Sequence, residues 1–130
     1  MAKCIGCRLI IKDDFNNTLV LKKKGKKGQL QNWIILDQKL RGKETDEKCL
    51  NRAMKDVLKA IIFDLESFNE YVIDNENDEF IRVYMGNLKE RYVLDKAYDE
   101  AKWINKKSLD NHEFNEIDKK ILNDYFNSLS

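Results

Sequence analysis

Apolar residues recur along this chain with two different periods, and the change from one to the other marks its elements. Between Thr45 and Ile61, the residues Leu50, Ala53, Met54, Val57, Leu58 and Ile61 fall at offsets of three, four, seven, eight and eleven, the stripe of a one-sided helix. Phe114, Ile117, Ile121, Leu122, Tyr125, Phe126 and Leu129 form a second such stripe, so the C-terminus is expected to be a helix docked on the core. Thr45 is suited to cap the first helix, with Asp46 and Glu47 in the first turn where the helix dipole favours negative charge.

Elsewhere the period is shorter. Lys3–Lys12 alternates or runs apolar before the polar cluster Asp13, Asp14, Asn16 and Asn17, which reads as strand and turn. Thr18–Lys22 supplies a second strand, and a basic loop, Lys22–Lys27, leads to a third at Asn32–Leu36; a short extension, Lys39–Arg41, then reaches the helix. Tyr71–Asp74 and Phe80–Met85 flank an acidic turn as a hairpin, and Ala101–Asn105 forms a last strand around Trp103. Strands, helix, strands, helix in that order predict an α+β fold with a mixed or antiparallel sheet.

A length of 130 residues, 42% hydrophobic and 36% charged, suits one domain across residues 1–130. Lysine and arginine total 24 against 23 acids, so there is no global field to drive binding to nucleic acid or an anionic membrane. No run approaches a membrane span, and three cysteines without a signal segment fit reduced thiols, so a cytoplasmic location is expected. Many Asn, Lys and Ile residues with no proline suggest an A/T-rich bacterial genome.

Within the first helix region, Gln38 to Ala60 resembles the box of the Nudix hydrolases, G-x5-E-x7-R-E-U-x-E-E-x-G-U with U a bulky aliphatic residue. Glu44 matches the first glutamate, Arg52 the arginine and Met54 the bulky position, while Asp56 replaces a glutamate conservatively. Gln38 and Lys59 replace the two glycines, Ala53 and Val57 replace two glutamates, and Ala60 is smaller than the aliphatic it stands for. The resemblance implies a Nudix fold, a mixed sheet sandwiched between the box helix and the C-terminal helix. It also implies a MutT-like relation to enzymes that hydrolyse nucleoside diphosphate derivatives with magnesium or manganese. In such enzymes carboxylates and substrate phosphates together hold the hard, oxygen-seeking metal ions.

By the same resemblance Glu44, Arg52, Asp56 and Glu100 are the catalytic candidates and Asp56 a metal candidate; Glu47, one turn from the cap, is a further metal candidate as an outer-shell group. Lys22, Lys24 and Trp33 are the candidates for a nucleotide or other phosphate-bearing small molecule. Each has a plainer reading: Asp56 as a solvated helix residue, Glu47 as a dipole-favoured acid, Glu44 and Arg52 as a structural ion pair. Glu100 also reads as an exposed strand-end acid, the lysines as a solvated loop, and Trp33 as packing. Cys4 and Cys7 form a C-x-x-C, but three residues apart on a regular strand point to opposite faces, and Cys49 and His112 add no ligand spacing. Three functions stay open: a nucleotide-binding member with weak or lost hydrolysis, an active enzyme with reassigned carboxylates, and a protein-interaction module on the same scaffold. The oligomeric state stays open too, a homodimer included.

Overall fold

The computed structural model describes residues 2–25 and 32–129; Lys26 and Lys27 of the basic loop lie outside the described residues. Among the described residues ten elements follow one another: β1 (Lys3–Lys12), β2 (Thr18–Lys23), β3 (Trp33–Ile34), β4 (Leu36–Lys39), α1 (Asp46–Val57), β5 (Phe63–Asp74), β6 (Glu79–Asn87), β7 (Tyr98–Ile104), α2 (Lys106–Leu109) and α3 (Glu116–Ser128).

The strands form one mixed sheet. β1 lies parallel to β6 from Lys3↔Glu79 to Lys12↔Asn87, and antiparallel to β4 through Gly6–Leu9 and to the start of β2. β2 then diverges from β1, takes β3 on that same edge, and carries β7 along its other edge. β5 closes the far side against β6. Alternation along β1 and β2 sends Cys7, Leu9, Ile11, Leu19 and Leu21 to one face, where α1 buries Leu50, Ala53, Met54 and Val57. Ile10 and Val20 point the other way, into a second cluster with Ile121, Leu122, Tyr125 and Phe126 of α3. The two helices therefore cover opposite faces of the sheet.

Several boundaries differ from the sequence reading, each for a local reason. α1 ends at Val57 because Lys59 takes φ +53° and turns the chain aside; Ile61, expected on the helical stripe, is 61% exposed. The third strand divides in two because Trp33 and Ile34 pair with β2 while Leu36–Lys39 pair with β1. β5 starts eight residues before the expected Tyr71. Register shifts interrupt it between Phe63 and Glu66 and between Ser67 and Asn69, so Leu65, Phe68 and Tyr71 turn inward three residues apart and the period of two is lost.

At Gly6 a side chain is excluded by close approach, since an added Cβ would lie 2.7 Å from the Gln38 backbone oxygen. This places β4, and the loop that follows it, tightly against β1. Among the described residues no helix is long and apolar enough to cross a membrane.

Candidate functional site

The loop between β4 and α1 is held by a compact polar elbow. Thr45 caps the helix, its hydroxyl oxygen accepting from the Lys48 amide at 3.2 Å. Arg52, in the second turn, donates from Nε to Glu44 Oε2 at 3.0 Å, and from Nη2 to Glu44 Oε1 at 2.8 Å and the Lys39 carbonyl at 2.9 Å. The Arg41 amide donates to Glu44 Oε1 at 3.1 Å. These donors favour the ionised carboxylate and hold the Glu44 pKa down at about 2, with the Arg52 hydrogen bond the main cause. Gln38, at the first glycine position, is half-buried in β4, and its carbonyl faces Cys49 Sγ at 3.7 Å.

Beyond the elbow the chemistry changes. Ala53 is fully buried and Val57 is 6% exposed, both inside the apolar cluster under α1. Asp56 and Glu47 are exposed on α1. Nine residues separate them, which on an α-helix means opposite sides and roughly 13 Å along the axis. Among the described residues, no group of three or more His, Cys, Asp or Glu side chains is placed to hold a metal ion. The donor set thus does not fit magnesium or manganese, which require several oxygens converging on one point.

Lys22, Trp33 and Glu100 do come together, on the other face of the sheet. Lys22 pairs with Trp33 on β3 and with Glu100 on β7, giving one lateral row that shares the α3-side face of Val20. The Lys22 ammonium stands 5.7 Å from the Trp33 ring centre, a cation–π distance, and His112 packs edge-on against that ring at 5.3 Å. His112 is therefore half-buried and packed; its Nδ1–H donates to the Ser108 carbonyl at 2.7 Å. Lys24 is exposed beside β7, its amide donating to the Ala97 carbonyl at 3.0 Å. The sheet separates this row from Asp56 and Glu47.

Two polar clusters escaped the sequence reading. Asp46, read as a dipole acid, accepts from the Tyr84 hydroxyl and lies 3.3 Å from Arg82 Nη1. Burial first, and the bond to Asp46 second, push the Tyr84 phenol above its ordinary range. Asp118 is 1% exposed; its Oδ1 lies 3.0 Å from Arg8 Nε, an ion contact without hydrogen-bond alignment, while Arg8 Nη1 donates to Asp37 at 2.7 Å. Burial raises the Asp118 carboxyl despite the opposing pull of Arg8. The signal for it was present: Asp118 stands four residues from both Phe114 and Leu122, inside the apolar stripe of α3.

The opposite-face geometry of a regular strand does not hold at the C-x-x-C, because the strand is bulged there. A bulge between Cys4 and Gly6 pairs Cys4 with Phe80 and Cys7 with Arg82, two positions apart on β6, so both thiols share the α1 face. All three cysteines are free.

No family model and no curated sequence matches the chain. Solved structures do. A MutT from the pair of Aliivibrio salmonicida and Vibrio cholerae is similar with a TM-score of 0.80 at 13% identity, over 97% of this chain and 99% of its own. The NUDIX domain of Shewanella oneidensis NrtR, complexed with ADP ribose, reaches 0.77 at 9% identity over 100% of this chain and 90% of that one. A C. elegans Ap4A hydrolase in a binary complex reaches 0.71 at 13% identity, over 95% and 97%. The chain has the Nudix fold.

Proposed function

Proceeding from the Nudix fold, we propose that this protein binds a nucleotide or other phosphate-bearing small molecule and hydrolyses it weakly or not at all. The observation that carries the second half is the burial of Ala53 and Val57 in the apolar cluster under α1. At the two box positions where the resemblance calls for stacked carboxylates, the chain has packed hydrocarbon. The first half draws on the company the fold keeps: structures similar to this one include a domain complexed with ADP ribose and an Ap4A hydrolase.

Thermal unfolding and product release, measured together across a nucleotide panel with magnesium or manganese, test this reading. Stabilisation by a nucleotide without turnover supports it, since a ligand that binds the folded state raises the melting temperature by mass action. Turnover that Asp56→Ala abolishes would overturn it in favour of an enzyme with reassigned carboxylates. Neither stabilisation nor turnover would favour an interaction module.

A further inference from the structure

A groove of about 960 Å³ opens between the β1–β2 turn and the chain that leaves β6, with Phe15, Tyr92 and Trp103 among its lining residues. Trp103 belongs to the α1-side face of the sheet, away from the Lys22–Trp33 row. We infer that this groove is where the nucleotide sits, its base against the aromatic side chains and its phosphate on Arg91; the inference rests on the nucleotide reading above and adds the location.

Both walls are built before any ligand arrives. Asp13 Oδ1 accepts from the amides of Phe15 and Asn17, each at 2.9 Å, which fixes a turn that leaves Phe15 84% exposed. The opposite wall is tied down by Leu88 N to Lys12 O at 3.1 Å, Ile61 N to Glu90 Oε1 at 2.8 Å and Val93 N to Leu58 O at 2.8 Å. A volume in the hundreds of cubic ångströms with preformed walls suits a ligand of nucleotide size.

The charges in the lining select the ligand further. Asp13 and Glu90 are engaged with amides, and Lys89 pairs with Asp64 at 3.0 Å. Arg91 and Asp14 have no such partner among the described residues. Arginine presents a planar fork that matches phosphate, and a carboxylate accepts from ribose hydroxyls or a base amino group. Aromatic faces hold a base of any identity by stacking. That combination describes a nucleoside monophosphate, or the monophosphate end of a larger nucleotide.

The two tryptophans stand on different faces of the sheet, so intrinsic fluorescence locates the ligand. AMP and GMP, titrated in EDTA into the full chain, should quench saturably, and the quench should survive Trp33→Phe and vanish in Trp103→Phe. Arg91→Ala should weaken AMP roughly tenfold while leaving adenosine unchanged, the scale of one charge-assisted hydrogen bond. Phe15→Ala should weaken both. Phe15 and Arg91 are exposed, so these variants decide the matter even where Trp103→Phe fails to fold. A quench lost in Trp33→Phe and kept in Trp103→Phe would overturn the location, as would AMP affinity unchanged in both Phe15→Ala and Arg91→Ala. Absence of any quench or stabilisation by AMP, GMP and their diphosphates would bring down the nucleotide reading itself.

Discussion

The two halves of the box region have fared differently. At the elbow, Glu44 and Arg52 keep their match to the box and make the contacts that shape the loop: two hydrogen bonds to each other and one from Arg52 to the Lys39 carbonyl. Directly after Arg52 and one turn beyond it, Ala53 and Val57 pack with Leu50, Met54 and Leu58. The elbow is stabilised by its own hydrogen bonds and needs no metal. A carboxylate pair at 53 and 57 is different: stacked like charges in an apolar environment are costly without a cation.

Reintroducing glutamates at both positions is the strongest way to break this contrast. Ala53→Glu/Val57→Glu places two ionisable groups where exposure is 0% and 6%. The double variant should lose more than about 4 kcal/mol of stability, at the far end of what substitutions do. Thermal or urea unfolding in EDTA measures it. A variant that melts close to the natural chain would mean that the two positions reach solvent, and the difference between elbow and ligand positions would disappear.

A smaller effect tests the other half. Because Glu44 titrates near 2 in the folded chain against an ordinary 4.5, its contribution to stability is complete above about 4.5 and is lost as pH falls toward 2. Acid unfolding of Glu44→Gln should accordingly begin from lower stability at neutral pH and show a shallower decline between those two values. An unchanged acid limb would show that the elbow contributes nothing to folding.

Most of this architecture was legible where the buried pattern is regular. The stripes of α1 and α3 and the alternation in β1 and β2 follow from one face meeting the core. What escaped was set by geometry that leaves no periodic trace. The bulge before Gly6 turned Cys4 toward the face of Cys7, and the interruptions in β5 hid eight residues of strand. In the candidate site, the Glu44–Arg52 elbow was readable because the box spacing survives there. The Asp46–Tyr84 contact was not, since it joins residues 38 positions apart on a helix and a distant strand. Separation of Asp56 from Glu100 was hidden for the same reason: only the pairing of β7 with β2 decides which face Glu100 takes.

Lys59 offers the finest probe of how much of the box shape remains. It stands at the second glycine position, and it still adopts φ +53°, a conformation that costs an L-residue about 1–2 kcal/mol relative to its right-handed alternatives. Its ammonium donates to the Asp56 carbonyl at 2.8 Å and to Asp95 at 3.3 Å, contacts at a half-exposed side chain that recover little. Lys59→Gly should therefore raise stability by roughly 0.5–1 kcal/mol after glycine's own entropy cost, as a helix-ending glycine usually does. Lys59→Ala separates the two contributions, because it removes the same side-chain contacts and keeps the Cβ. Urea midpoints in the order glycine, lysine, alanine would locate the strain in the backbone; a glycine variant no more stable than alanine would show that the left-handed turn costs this chain nothing.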